Sequence, residues 1–178
     1  MDVINIIEKY YDKNSLLYKI LIDHSIAVTQ KALAISANHP ELNIDNQFVR
    51  EAGMLHDIGV FMTNAPSIYC FGTHPYIAHG YLGSKLLQIE AYPKHALVCE
   101  RHTGTGLSLE NIISQDLPLP HRDMQPLSIE EKVICFSDCF FSKTKLGQEK
   151  TADQVMLSLS KFGERSVAQF TEWYDLFQ

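Results

Sequence analysis

Six side chains carry the chemical interest of this 178-residue sequence: His24, the adjacent pair His56 and Asp57, His79, His102 and Asp138. Imidazole nitrogens combined with carboxylate oxygens suit divalent iron, manganese, zinc or nickel, and one carboxylate can bridge two ions while single histidines hold each. A lone histidine on an apolar helical face is more often a hydrogen-bonded core residue than a ligand. Six such residues at element ends or on apolar faces reverse that reading, because each buried polar group there needs a partner. Asp138 is the most informative, since it sits within Ile-Cys-Phe-Ser-Asp-Cys-Phe-Phe, where a carboxylate is costly unless paired or ligated.

The elements that must position these groups read as helices throughout. Apolar residues recur at helical spacing from end to end, and no stretch alternates in the manner of a strand, so the fold class is all-α. Expected helices span about 2–12, 15–37 with His24 on its apolar face, one from an Asn43–Asp45 cap to His56, 75–90 bearing His79, and one from Pro93 to His102. A short helix follows Ser108. The Ser128-Ile129-Glu130-Glu131 capping-box pattern opens the helix that carries Asp138, and helices over 152–162 and 164–177 hinge near Gly163. Gly59 is expected to stop the third helix and permit the turn that lets His56 and Asp57 reach one centre. Residues 61–73 read as an irregular loop, and the proline-bearing run 116–126 as an extended connector.

Bulk properties bound the alternatives. One domain over residues 1–178 is the expectation, with a motif-bearing core of about 15–146 and C-terminal helices 152–177 packed on it. A net charge of −6 gives no overall basic footprint, so nucleic acid is a poor partner. No apolar run is long enough to cross a bilayer and the start lacks a basic n-region, so a cytoplasmic protein without a membrane partner is expected. Cys70, Cys99, Cys135 and Cys139 form no C-x-x-C pair and read as buried free thiols instead of metal ligands or a disulfide. His39, His95 and His121 read as surface or packing residues, His74 as a loop residue, and Phe136, Phe140, Phe141, Phe170 and Trp173 as core.

His-Asp-Ile-Gly at 56–59, with a histidine some thirty residues earlier and an aspartate some eighty later, makes the chain resemble the HD-domain superfamily over about 23–145. The segments Gly-Met-Leu-His-Asp-Ile-Gly, Glu-Arg-His-Thr-Gly-Thr-Gly-Leu-Ser and Lys-Val-Ile-Cys-Phe-Ser-Asp-Cys-Phe-Phe-Ser-Lys-Thr resemble small stand-alone HDIG phosphohydrolases and, more distantly, HD enzymes that split dinucleoside tetraphosphates. The resemblance implies an HD-domain helical bundle in which His24, His56, Asp57 and Asp138 bind one metal. In the branch with two further histidines, His79 and His102 would hold a second ion with Asp57 bridging; with one ion they would bind phosphate instead. It also implies hydrolysis of a phosphate ester or anhydride of a small phosphorylated substrate such as a nucleotide.

In that chemistry a divalent ion brings the pKa of a bound water from about 15.7 toward about 7, and Asp57 is the candidate for orienting the resulting hydroxide. Arg101, Lys143, Lys145, His121 and Arg122 are available to face phosphoryl oxygens. Thr103, Gly104 and Gly106 could offer backbone N–H groups. Arg101, Thr103 and Lys143 are taken as candidate substrate binders, and Tyr69 and Phe71 as substrate neighbours. Alternative readings are a di-iron oxygenase on the same ligands, a non-catalytic nucleotide-binding signalling domain, and a metal-free interaction module. Substrate, metal identity and oligomeric state are not set by these residues.

Overall fold

A computed structural model describes residues 1–178 as nine helices and one small hairpin, an all-α bundle. The helices are α1 (Val3–Glu8), α2 (Leu16–Asn38), α3 (Asn46–Leu55), α4 (His79–Ile89), α5 (Pro93–Arg101), α6 (Leu109–Ser114), α7 (Ile129–Asp138), α8 (Ala152–Leu159) and α9 (Glu164–Phe177). None is long and apolar enough to cross a membrane.

Local chemistry sets most of the starts. Side chains of Asp2, Ser15, Asp45, Ser108, Ser128 and Thr151 accept hydrogen bonds from backbone N–H groups that have no partner within their own helix. The pattern at Ser128 is fulfilled by half. Ser128 Oγ accepts from the Glu131 N–H at 3.2 Å, but the Glu131 carboxylate turns instead to the Leu127 N–H and to Arg101, each at 3.0 Å. At Gly163, φ of 101° reverses the chain between a 3₁₀ turn (Ser160–Phe162) and α9, a conformation that costs an L-residue with a side chain.

Residues 61–73 are more ordered than the sequence reading expects. A 3₁₀ turn (Val60–Met62) leads into an antiparallel pair, β1 (Asn64–Ala65) with β2 (Cys70–Phe71), in register Asn64↔Phe71 and Ala65↔Cys70. The expected helix from Pro75 also divides, with a 3₁₀ turn (Tyr76–Ala78) preceding α4.

Gly59 acts differently from the expected stop. Its φ of −81° is open to any residue, and the chain winds straight on into the 3₁₀ turn. Space is what demands glycine: a Cβ at 59 would lie 2.2 Å from the His79 carbonyl oxygen and 2.3 Å from the Gly83 nitrogen. The HD turn and the start of α4 are therefore pressed backbone to backbone.

The largest apolar core joins α2, α3, α7, α8 and α9 through Val28, Val49, Phe136, Leu159, Phe170 and Trp173, with the Phe136 and Phe170 rings stacked 5.1 Å apart. A second, of Ile7, Leu21, Leu55, Ile58, Leu87 and Cys99, ties α1 to α5. The connector after α6 is anchored by Leu107 and Met124, whose backbones exchange hydrogen bonds. The six polar residues lie on or at the ends of helices that build these cores.

Candidate metal centre

Helix ends and apolar helical faces bring all six predicted ligands together. His24 lies within α2, His56 and Asp57 at the end of α3, His79 at the start of α4, His102 just beyond α5, and Asp138 at the end of α7. Five of the side chains are at most 5% exposed, and Asp138 at 18% is the most open.

The atoms fall into two sets that meet at Asp57. Around Oδ2 of Asp57, His24 Nε2 stands at 3.1 Å and His56 Nε2 at 3.0 Å, while Asp138 Oδ1 is 2.9 Å from His24 Nε2 and 3.6 Å from His56 Nε2. Around Oδ1 of the same carboxylate, His79 Nε2 and His102 Nε2 each stand at 3.4 Å, and these two nitrogens are 3.0 Å apart. Ligands about 2.1 Å from one cation at right angles are about 3 Å from each other, which is the spacing found.

Orientation argues the same way. Nδ1 of His56, His79 and His102 each faces the carbonyl three residues earlier, of Gly53, Tyr76 and Cys99, at 2.6, 2.7 and 2.8 Å. Donation through Nδ1–H turns each Nε2 inward, and in the neutral ring it leaves there the lone pair with which histidines bind metals. The lone pairs of His79 and His102 thus confront one another, an arrangement that calls for a cation between them. His24 Nε2, His56 Nε2 and both oxygens of Asp57 are buried without a hydrogen bond of good geometry. Such orphaned groups each cost about 1–3 kcal/mol unless something binds them. The donor set fits divalent transition metals.

Titration follows from burial and charge. Burial lowers His79 to about 3, opposed in part by Asp57, so this ring is neutral at physiological pH. Burial also works against protonation of His56, but Asp57 and Asp138 overcome it and hold the ring at about 10 without a metal. Asp57 and Asp138 resist the upward pull of burial and stay well below the usual carboxylate range, Asp57 through the charges of Lys143 and His56, Asp138 through the imidazole rings of His24 and His56 close beside it.

Of the three candidate substrate binders, two face the centre. Lys143 Nζ lies 2.5 Å from Asp57 Oδ2 with its side chain 10% exposed. It lines the cleft above the ligands, as does Thr103. Arg101 does not line this cleft; it turns the other way into the ion pair with Glu131. Arg122 is likewise taken up by Glu100. Tyr69 and Phe71 stand outside the cleft lining, 50% and 75% exposed at the hairpin. His95 packs beside Phe48 and Tyr92, and the four cysteines are free and buried.

Sequence reasoning missed Tyr76 and Lys150, which line the cleft next to Asp138. The Tyr76 ring stacks on His79 with centroids 4.7 Å apart, and its carbonyl faces His79 Nδ1. The three-residue offset from His79 is a signal that could have found it. Lys150 reaches back eleven residues to the Cys139 carbonyl at 3.0 Å, and no local periodicity announces that contact.

Residues 21–141, which include all six clustered residues, match the HD domain family, and the chain belongs to that family. The HD domain marks a superfamily of metal-dependent phosphohydrolases. The chain is 33% identical over 128 residues to an uncharacterized protein of Methanocaldococcus jannaschii, covering 70% of this chain and 68% of that protein. It is also 29% identical over 128 residues to a tRNA (cytidine(56)-2'-O)-methyltransferase of Picrophilus torridus, covering 71% of this chain but only 33% of that enzyme. No solved structure matches the chain.

Proposed function

We propose that this protein is a cytoplasmic, metal-dependent phosphohydrolase that cleaves a phosphate ester or anhydride of a small nucleotide. In this reading His24, His56, Asp57 and Asp138 hold one divalent ion, Asp57, His79 and His102 hold a second, and the whole chain works as one domain. The observation that carries it is the division of Asp57, with Oδ2 facing one ligand set and Oδ1 the other. Ions so held supply Lewis-acid stabilisation of phosphoryl charge and acidify water.

The chain's own groups do the rest. Asp57 is fixed by four histidines and Lys143, so its carboxylate orients the attacking water without first reorganising. Asp138, the most open ligand, forms the floor of the cleft on which the substrate rests. The Lys143 ammonium offsets charge that builds on the phosphoryl oxygens, and Thr103 borders the same space. Four buried free thiols accord with a reducing compartment.

The reading is tested by elemental analysis of untagged protein, wild type and Asp138→Ala, followed by phosphate release from a nucleotide panel. About two ions per chain, largely lost in the variant together with hydrolysis, is the expected result. No bound metal after reconstitution with iron, manganese, zinc or nickel would remove the proposal. Oxygen consumption without phosphate release would favour the di-iron oxygenase.

A further inference from the structure

The cleft over the metal centre has two lobes of different chemistry, which meet over Asp138. Tyr76, Asp138, Phe141, Lys143 and Lys150 line both. One lobe, of about 450 Å³, runs toward the hairpin and is completed by Ala65, Ser67, Ile68, Ser142 and Thr144. Its hydroxyls suit a polyhydroxylated group such as a sugar; Ser142 Oγ and Thr144 Oγ1 already lie 3.0 Å apart as a hydrogen-bonding pair. The other lobe, of about 270 Å³, has His79 and His102 at its base, an apolar wall of Cys139, Val155, Leu159 and Phe162, and Thr103, Gly104 and Ser158 completing its lining. That wall belongs largely to α8 and the turn after it, outside the residues that match the HD family.

From this arrangement we infer that the substrate presents a phosphoryl group with organic substituents on both sides, a diester or internal anhydride, and not a terminal phosphate. The inference rests on the phosphohydrolase reading and deepens it. A terminal phosphate needs only one lobe, because its remaining oxygens face the metal ligands and Lys143. Here the space continues past Asp138 in two directions, toward the hairpin in one and toward α8 in the other. A phosphoryl group over Asp138 therefore sends one substituent to each wall.

Lys150 shapes the boundary between the lobes. Its N–H bonds the Phe140 carbonyl at 2.9 Å and its Nζ the Cys139 carbonyl, which closes the loop 141–149 at its base. No carboxylate lies within ion-pair distance of it, whereas Lys143 is held by Asp57 and Lys31 by Glu149. A second cation thus borders the shared region.

Titration calorimetry on metal-loaded protein tests the inference with a phosphorothioate-linked dinucleotide, a nucleoside 5′-monophosphate and inorganic phosphate. Wild type is expected to bind the dinucleotide at least about tenfold more tightly than the monophosphate, about 1.4 kcal/mol. Ser67→Trp, which fills the first lobe, and Ser158→Trp, which fills the second, are each expected to abolish that excess while inorganic phosphate affinity stays within about twofold of wild type. Thr144→Trp repeats the first-lobe test should Ser67→Trp fail to fold. Equal binding of dinucleotide and monophosphate, or loss of the excess in only one lobe's variants, would overturn the inference. Cleavage of monophosphates with no dinucleotide preference would keep the phosphohydrolase and remove the two-sided substrate. The predicted binding pattern without any cleavage would do the reverse.

Discussion

Nε2 of His79 and Nε2 of His102 face each other 3.0 Å apart while the Nδ1 atom of each ring is engaged by a backbone carbonyl. Two imidazoles that each donate through Nδ1 cannot satisfy one another through Nε2, so with Asp57 Oδ1 the pair forms a group able to hold a cation.

On the proposed two-ion reading, His79→Ala and His102→Ala are each expected to release one ion and retain the other, since the set around Asp57 Oδ2 keeps its four residues. Affinity at the disturbed site should fall by more than the roughly 10- to 100-fold that loss of an outer hydrogen-bond partner costs. Elemental analysis after dialysis against a weak chelator checks this. Loss of both ions from either variant, or of none, would contradict the division of labour at Asp57.

A second expectation concerns Gly59. Because a Cβ there would meet the backbone of His79 and Gly83 at 2.2 and 2.3 Å, Gly59→Ala must push α4 away from the HD turn. Overpacking of this kind costs about 1–3 kcal/mol. At about 2–4 °C per kcal/mol for a chain of this size, Tm should fall by roughly 5 °C. The same displacement carries His79 from Asp57, so the second ion should be lost before the first. Calorimetric melting of metal-free protein, paired with metal analysis, separates the two effects.

These positions also show what the sequence could and could not disclose. The six clustered residues were legible because each is a polar residue on an apolar face or at a helix end, and that incongruity is visible without a structure. Helix starts were legible where a short polar side chain caps them, as at Asp45, Ser108 and Ser128. The reason for Gly59 was not, because it lies in a contact with residues twenty and more positions away. Nor could spacing rank the available cations: Arg101 and Lys143 look alike in sequence, and only the fold sends one to Glu131 and the other to Asp57. The hairpin at 64–71 escaped notice because two-residue strands are too short to show alternation.

That contrast between the two cations gives a third prediction. Arg101→Met breaks a largely buried pair, leaves Glu131 without its charge partner and should destabilise the fold by about 2–4 kcal/mol. With the cleft lining intact, kcat/KM should stay within a fewfold of wild type. Lys143→Met removes a cation from the cleft itself and should lower kcat by at least about a hundredfold, in the range of other lost transition-state donors. Steady-state kinetics beside denaturant melts would show the crossing pattern; a large kinetic loss in Arg101→Met with unchanged stability would refute the assignment.

The cysteines supply the last prediction, through pH. Burial raises the Cys70 thiol to about 11, against the opposing charge of Lys143, and holds Cys99 and Cys135 well above the ordinary thiol range as well. The thiolate is the reactive form, and its share falls as the pKa rises above the working pH. At pH 8 a free cysteine near pKa 8.5 is about a quarter thiolate, whereas one near 11 is about a thousandth. Alkylation of native Cys70 at pH 8 should therefore be at least about a hundredfold slower than in a model thiol, with steric burial slowing it further. Raising the pH from 8 to 10 should accelerate it by nearly the full hundredfold, because the thiol is still mostly protonated at 10, while a free thiol gains only about fourfold. Mass spectrometry of the modified peptide over this range reads both slopes, and a native Cys70 that tracks the free thiol would show that the packing around the hairpin is looser than the fold describes.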